Sequence, residues 1–264
     1  MDTKRVEGWN DPRMPTVQGI LRRGLQVEAL KEFIISQGAS KNVTYQEWDK
    51  IWTMNKKLID PVCPRHTAIE MDKKVLVTIS NGPSEVDVVT VPRHKKHPPA
   101  GMKSQLRLNK IYLDQADAQE VKEGEEVTLC DWGNCILKKI HKDTATSLVT
   151  AIDAELHLEG DFKTTKWKLH WLSVVDELLP LQLSEFDHLI TKKKMEDDDS
   201  IESVANDNSR LDKAALGDVN MRQLQKGEVI QLERKGYFIV DEPYTKPGKP
   251  MVLFLIPDGR EKKK

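Results

Sequence analysis

The sequence has few cysteines, and their spacing argues against two kinds of stabilising site. Cys63, Cys130 and Cys135 are the only three among 264 residues, which is too few and too scattered for a disulfide framework. Cys130 and Cys135 are five residues apart with no second pair of ligands nearby, so we expect no zinc site. Free thiols fit a reducing, cytosolic compartment.

Long apolar runs are also missing. No segment approaches the roughly 20 apolar residues that a helix needs to span a bilayer, and residues 1–7 contain no apolar signal region. We therefore expect a protein that is neither membrane-bound nor secreted. With 38% hydrophobic and 31% charged residues, the composition is that of a highly charged globular protein. The length suits one large domain or two small ones.

The signatures of a self-contained active site are absent as well. The sequence contains no Gly-x-Ser-x-Gly elbow and no Gly-x4-Gly-Lys-[Ser/Thr] phosphate loop. His94 and His97 flank two lysines that would repel a metal cation, and residues 197–199 lack the ligand spacing of a calcium-binding loop. We therefore predict no catalytic residue and no metal site in this chain.

The charges that are present balance in number but not in position. The formal net charge is −1, with acidic residues concentrated at 196–199. Local basic patches can attract phosphate even when the total charge cancels, although each patch taken alone is more often an ordinary solvated surface. The basic clusters are Arg22–Arg23, 93–97, 163–170, 192–194 and 262–264.

The first sixty residues follow helical spacing. Val27–Ser36 places apolar residues every three or four positions between two glycines, which predicts a helix. A second helix is predicted from residue 45 to about residue 58. Thr44 and Glu47 form a capping-box pattern at its start, and the prolines that follow it disfavour further helix.

After residue 64, short runs rich in β-branched residues alternate with turn signals. Many short strands at this spacing favour a β-barrel or a pair of barrels. Residues 193–213 are polar with few apolar anchors, and they predict a loop or linker. The predicted strands are 75–79, 86–91, 110–113, 126–129, 136–140, 147–152, 166–172, 182–186, 229–232, 237–240 and 252–256.

The segment 231–238 carries side chains suited to reading a nucleobase. A continuous strand would place Gln231 and Arg234 on opposite faces, with Gly236 permitting a bend. Glutamine offers a donor and an acceptor, and arginine offers a planar fork of donors. An ordinary surface strand is the more common meaning of such a pattern.

Two other positions are candidates for the same chemistry. Pro61 and Pro64 stiffen the chain before Arg65, so this arginine would be presented from a rigid turn. A plain helix terminator is the alternative. Trp132 and Asn134 lie at a predicted hairpin tip, where an aromatic ring can stack on a base or pack under the loop.

Longer strings of the sequence resemble one family. Residues 8–24, Gly-Trp-Asn-Asp-Pro-Arg-Met-Pro-Thr-Val-Gln-Gly-Ile-Leu-Arg-Arg-Gly, are similar to the segment that follows the catalytic fold in glutamyl- and glutaminyl-tRNA synthetases. Residues 47–61, 190–194 and 256–259 resemble the eukaryotic glutamyl branch, with details like those of plant cytosolic enzymes. Asn10, where the family usually has aspartate, is a small departure.

The resemblance implies a mainly β fold with an N-terminal α-helical segment. Residues 1–62 would contact the tRNA stem, and residues 63–264 would bind the anticodon. Two β-barrels of the anticodon-binding type are implied: a proximal barrel at about 63–110 plus 180–260, and a distal barrel at about 111–179. The polar linker would interrupt the proximal barrel.

The resemblance also implies which residues touch the tRNA. Arg65, Gln231 and Arg234 match the positions that read the middle anticodon base, U35, in the glutaminyl relatives. Thr128 and Cys130 stand where those relatives use arginines for the first base, so those contacts do not transfer. Weaker candidates for the first base are Trp132 and Asn134. Candidate contacts to the tRNA backbone are Arg22, Arg23, Arg93, Lys95 and Lys96.

The implied partner is tRNA(Glu), with proteins of a multi-synthetase complex as further candidates and with neither DNA nor a membrane. The family's ATP-binding signatures, of the His-Ile-Gly-His and Lys-Met-Ser-Lys-Ser types, do not occur in this chain. ATP and Mg²⁺ would therefore serve the intact enzyme, and we expect no cofactor in this chain and no activation of glutamate by it alone.

The sequence is also compatible with two other functions. The chain could be a free-standing tRNA-binding or synthetase-complex module without catalysis. It could also be a ribosomal-RNA-binding barrel, although the helical segment before residue 64 argues against that.

Overall fold

The computed structural model describes residues 6–39, 41–42, 45–72 and 74–260. Thr44 of the predicted capping box and the basic cluster 262–264 lie outside the described residues. Within them the fold is mainly β, with a helical N-terminal part and two curled, half-barrel sheets. The predicted fold class is thus confirmed. None of the described helices has the length and apolar character needed to cross a membrane.

Five α-helices are present among the described residues: α1 (Val17–Arg22), α2 (Val27–Ser36), α3 (Asp49–Ile59), α4 (Gln115–Glu120) and α5 (Ile201–Val204). The predicted bounds of α2 are confirmed, whereas α3 begins at Asp49 rather than at residue 45. Thr16 caps α1, because its hydroxyl accepts a hydrogen bond from the Gly19 amide at 3.0 Å.

The strands in chain order are β1 (Arg65–His66), β2 (Ala68–Glu70), β3 (Val75–Ile79), β4 (Asp87–Pro92), β5 (Met102–Arg107), β6 (Lys110–Leu113), β7 (Glu126–Leu129), β8 (Gly133–Lys142), β9 (Val149–Leu156), β10 (Lys168–Leu169), β11 (Leu172–Ser173), β12 (Leu179–Phe186), β13 (Arg210–Gly217), β14 (Val229–Leu232), β15 (Gly236–Glu242) and β16 (Met251–Ile256). The predicted bounds of β3, β6, β7 and β14 are confirmed.

The first sheet has the order β1-β14-β15-β16-β12-β13-β2, and the second has the order β10-β7-β8-β9-β3-β6-β11. Each sheet curls around its own buried apolar cluster. Strands β4 and β5 form a separate two-stranded hairpin, and its side chains contact both sheets. The molecule therefore has a junction between two sheets, and a hairpin bridges this junction.

The N-terminal helices pack against the first sheet. Trp52 and Ile59 of α3 belong to one buried cluster with Phe254 and Ile256 of β16. Asn55 lies within it and is fully buried; its Oδ1 accepts from the Gln26 amide at 2.8 Å and its Nδ2 donates to the Gly24 carbonyl at 3.1 Å. These bonds satisfy a side chain whose burial would otherwise be costly, and they fix the helices on the sheet.

Two boundaries differ from those expected. Strand β3 pairs with β6 and β9 of the second sheet, so this sheet takes in residues before 111, which the sequence division had placed in the proximal barrel. The predicted polar linker overlaps β13, which pairs with β12 from Leu179 to Phe186. Side chains 211–214 are exposed; the polar character of residues 193–213 as a whole suggested a loop, but main-chain pairing makes the strand.

Candidate nucleic-acid interface

Arg65 and Gln231 are brought side by side by strand pairing. Strands β1 and β14 are parallel, and Arg65 is the register partner of Gln231. The backbone N–H of Gln231 donates to the Pro64 carbonyl at 2.9 Å, and the backbone N–H of Arg65 donates to the Arg93 carbonyl at 2.9 Å. Main-chain bonds thus place Arg65, Arg93 and Gln231 on neighbouring segments.

Each of these three residues has a buried polar atom without a partner. The Nε atoms of Arg65 and Arg93 and the Oε1 atom of Gln231 make no hydrogen bond within the described part of the chain. A buried polar group left unpaired costs about 1–3 kcal/mol. Such groups are rare in folded proteins, and one explanation for them is a functional role.

The β4–β5 hairpin ties the two sheets together beside these residues. Lys103 Nζ donates to the Arg65 carbonyl at 2.9 Å, on the side of the first sheet. Gln105 donates to the Cys130 carbonyl at 3.2 Å, and Arg107 donates to the Asp131 carbonyl at 2.6 Å, on the side of the second sheet. The hairpin loop, residues 93–101, carries the basic cluster 93–97 to this junction.

Three of the predicted backbone contacts lie on that loop. Lys95 is 67% exposed, and its Nζ lies 2.6 Å from Asp131 Oδ1, a hydrogen bond that raises the pKa of Lys95. Lys96 is exposed, and its amide donates to Nδ1 of the buried His94 at 3.1 Å. With the half-buried Arg93, these residues form what we call the basic loop surface: Arg93, Lys95 and Lys96.

Arg22 and Arg23 are placed differently, because both are engaged within the fold. Arg22 donates from Nε and Nη2 to the two oxygens of Asp241, at 2.8 Å each, and this bond raises its pKa. Arg23 donates to the Phe186 carbonyl at 2.7 Å, and burial lowers its pKa to about 10. Within the described residues neither makes a hydrogen bond or ion pair with the basic loop surface, so we leave both out of the proposed interface.

Arg234 lies on a turn and not on a strand. Strand β14 ends at Leu232, and the Lys235 amide donates to the Leu232 carbonyl at 3.0 Å. Arg234 has a left-handed backbone with φ of 65°. The expected alternation of faces beyond residue 232 is therefore wrong, because the chain turns there. The Arg234 side chain is 47% exposed, and its Nη1 lies 2.5 Å from Asp117 Oδ1.

His170 also belongs to this junction, although we did not predict it as a site residue. Its Nε2 lies 3.5 Å from Glu233 Oε2, and its Nδ1 is buried without a partner among the described residues. Burial opposes its charge, but Cys130 and Glu233 raise the pKa of His170 to about 9. Burial likewise opposes the charge of Glu233, yet His170 holds its pKa at about 2. The basic cluster 163–170 was the available sequence signal.

Trp132 and Asn134, the weaker candidates, are engaged within the second sheet. The half-buried Trp132 ring lies 4.7 Å from that of Trp171, centroid to centroid. Asn134 is buried; its Oδ1 accepts from Thr128 at 2.8 Å and its Nδ2 donates to Glu126 at 2.9 Å. Both ends of this amide are occupied, so Asn134 has a structural part in the sheet.

Two curled sheets with a basic, partly unsatisfied polar junction fit a nucleic-acid-binding β protein. The family model described as "tRNA synthetases class I (E and Q), anti-codon binding domain" matches residues 63–157, and a second model with that description matches residues 168–241. The model of the catalytic domain of the same enzymes matches residues 1–61. The chain belongs to the class I glutamyl- and glutaminyl-tRNA synthetase family.

Similar proteins support this assignment over the whole chain. The cytoplasmic glutamate–tRNA ligase of Arabidopsis thaliana is 55% identical over 263 residues, which are 100% of this chain and 36% of that protein. The probable cytoplasmic glutamate–tRNA ligase of Schizosaccharomyces pombe is 46% identical, over 98% of this chain and 36% of its own length. The bifunctional glutamate/proline–tRNA ligase of Drosophila melanogaster is 43% identical, over 99% of this chain and 16% of its own.

Proposed function

We propose that this chain binds tRNA(Glu) and reads its anticodon as part of a glutamate–tRNA ligase. The observation that carries this proposal is the strand pairing of Arg65 with Gln231 at a junction where their buried polar atoms lack partners. The chain spans 36% of the length of the Arabidopsis relative. The activity of the whole ligase is therefore part of the proposal.

The chemistry of the middle base, uracil, matches this pair of side chains. The Watson–Crick edge of uracil presents an N–H donor between two carbonyl acceptors. A glutamine amide can accept from that donor and donate to a carbonyl, and a guanidinium can donate to a carbonyl. In our proposal Gln231, Arg65 and Arg234 share these contacts, and the base satisfies polar groups that the protein leaves unpaired.

The basic loop surface supplies the second part of the proposed interface. We propose that Arg93, Lys95 and Lys96 contact phosphates next to the anticodon, where they set the position of the tRNA without reading sequence. Each phosphate that is neutralised makes the affinity more dependent on salt. Lys95 would exchange its bond with Asp131 for a phosphate.

ATP and Mg²⁺ belong, in this proposal, to the catalytic domain of the intact ligase. Within the described residues no group of three or more His, Cys, Asp or Glu side chains could hold a metal ion, and the family's ATP-binding signatures do not occur in the sequence. The described residues do not form a site for Mg²⁺ or ATP, so we derive no step of the reaction from them.

We further propose that the protein works in the cytoplasm and associates with other synthetase proteins. Two relatives are named cytoplasmic glutamate–tRNA ligases, and the Drosophila relative is named a bifunctional glutamate/proline–tRNA ligase. Size-exclusion chromatography of the tagged protein from its own cells tests the association. Elution of the tagged protein at the mass of a single polypeptide would contradict it.

Filter binding to three tRNAs at two salt concentrations tests the main proposal. We expect tRNA(Glu) to bind more tightly than tRNA(Gly), whose middle anticodon base is C in place of U, and we expect all affinities to fall as salt rises. A tRNA(Glu) with its middle base substituted provides the matched ligand. Equal affinity for the native and substituted tRNA(Glu) at both salts would overturn the assignment.

A further inference from the structure

Three ionic contacts hold the turn between β14 and β15 against the chain segment that forms much of the second sheet. The turn consists of Glu233, Arg234 and Lys235, and each of these side chains meets an opposite charge from the chain segment 110–173. The partners and distances are His170 Nε2 at 3.5 Å for Glu233, Asp117 Oδ1 at 2.5 Å for Arg234, and Asp114 Oδ2 at 2.8 Å for Lys235.

Asp117 differs from Arg234 in how firmly it is held. The Asp117 side chain is 8% exposed, whereas that of Arg234 is 47% exposed. Asp117 lies on α4, where its amide donates to the Asp114 carbonyl at 3.1 Å. Asp114 in turn accepts from the Glu70 amide, also at 3.1 Å. The carboxylate is therefore a fixed point, and Arg234 is the mobile partner that it restrains.

One carboxylate contact leaves most of the arginine available. A guanidinium has five N–H donors in one plane, and the contact with Asp117 uses Nη1 alone. Holding that nitrogen restricts the orientation of the group and limits the rotamers of a long side chain, so less entropy is lost when the remaining donors meet a ligand. The left-handed backbone of Arg234 directs the side chain to this partner at a cost of about 1–2 kcal/mol.

We propose that Asp117, a residue of the second sheet's segment, is a positioning residue that holds the Arg234 guanidinium in the orientation in which it reads the middle anticodon base. This inference rests on the proposed function. The first sheet supplies most of the proposed contacts to the middle base. Discrimination at that base would nevertheless depend on Asp117, a carboxylate outside the first sheet.

The test compares the wild-type chain with Asp117→Asn, which keeps the size of the side chain and removes its charge. The measured quantity is the ratio of the dissociation constants for the substituted and the native tRNA(Glu). We expect this ratio to fall by about tenfold in Asp117→Asn, a loss within the range for one base-reading contact. Glu155→Gln breaks another ion pair of the second sheet, with Lys138, and should leave the ratio unchanged.

A second comparison separates positioning from a purely structural effect. In an Arg234→Ala background, the positioning role predicts that Asp117→Asn changes the ratio no further. If Asp117→Asn does not fold, Asp117→Glu serves instead, because its longer side chain moves the carboxylate and should also lower the ratio.

The outcomes are distinguishable. A ratio that stays at the wild-type value in both Asp117 variants overturns the positioning role while leaving the proposed function intact. A wild-type ratio of one overturns the proposed function itself.

Discussion

Arg22 donates hydrogen bonds to both carboxylate oxygens of Asp241, at 2.8 Å each, and thereby joins the end of α1 to β15. Asp241 is 5% exposed, and Arg22 is 22% exposed. The same arginine also lies over the Phe254 ring, 5.4 Å from its centroid. This geometry separates the arginines that hold the fold together from those left available at the junction.

Replacing Arg22 should therefore affect stability rather than tRNA binding. In Arg22→Ala the buried Asp241 loses its charged partner, and we expect the free energy of unfolding to fall by about 2–3 kcal/mol. Urea denaturation measures this loss. Lys96→Ala is the matched control, because a surface substitution usually changes stability by less than about 0.5 kcal/mol. Unchanged stability in Arg22→Ala would show that the pair contributes nothing.

Arg65→Ala and Gln231→Ala should weaken tRNA binding rather than stability. Each removes one proposed contact to the middle base, and we expect each to weaken tRNA(Glu) binding by about 1–3 kcal/mol. The loss should shrink with the tRNA that is substituted at the middle base, because that contact is already missing there. Filter binding of both variants to both tRNAs provides the measurement.

Arg210→Ala is a suitable control for Arg65→Ala. Arg210 lies on β13 of the same sheet and pairs with Asp212 at 3.0 Å, so its removal takes away one positive charge without touching the junction. If Arg210→Ala weakened binding as much as Arg65→Ala, with the same effect on both tRNAs, the role of Arg65 would be that of a general charge.

Most of the fold could be predicted from the sequence, because the spacing of apolar residues and the turn signals are local features. The helical spacing of Val27–Ser36 gave the bounds of α2, and four β-branched runs gave the bounds of their strands. Strand β13 was missed for a physical reason. It pairs through its main chain, while several of its side chains are exposed and polar, so its sequence has no apolar alternation to detect.

The candidate site was less predictable, because it depends on partners distant in the chain. The local pattern of 231–238 suggested one strand, but three ion pairs to the second sheet accompany a turn at Glu233–Lys235. Nothing near Arg22 in sequence indicates that Asp241 is its partner. Asn134 resembled an exposed hairpin residue, yet its amide is satisfied by Thr128 and Glu126.

The His170–Glu233 pair should make stability depend on pH in two windows. The folded-state pKa of His170 is raised from 6.5 to about 9, so its contribution is complete below pH 6.5 and is lost as the pH rises through about 9. The folded-state pKa of Glu233 is lowered from 4.5 to about 2, so its contribution is complete above pH 4.5 and is lost as the pH falls towards 2.

The variant His170→Gln tests the upper window. We expect the difference in unfolding free energy between the wild type and His170→Gln to be constant from pH 5 to about 6.5 and to shrink towards pH 9. The change should not exceed about 3 kcal/mol. Urea denaturation at several pH values measures it. A difference that stayed constant from pH 6.5 to 9 would mean that His170 does not carry a stabilising charge.

Gly259 lies where the segment after β16 passes over α3, and a side chain there should loosen this contact. A Cβ at Gly259 would lie 2.6 Å from the Asp49 carbonyl oxygen and 2.8 Å from the Thr53 amide nitrogen, closer than non-bonded atoms tolerate. Gly248 has a similar left-handed backbone, with φ of 84° against 74°, but a Cβ there would meet nothing within 4 Å. The two glycines therefore separate backbone strain from crowding.

We expect Gly248→Ala to cost about 1 kcal/mol of stability, from backbone strain alone. Gly259→Ala should cost about 2–4 kcal/mol, because overpacking adds to the same strain. Urea denaturation of the two variants gives the difference directly. The nearby contact of Lys56 Nζ with Asp258 Oδ2, at 3.1 Å, holds the same segment on α3, so Lys56→Ala should act in the same direction as Gly259→Ala but more weakly. Equal costs for the two glycine variants would show that α3 moves aside for the added methyl group and that this contact does not fix the segment.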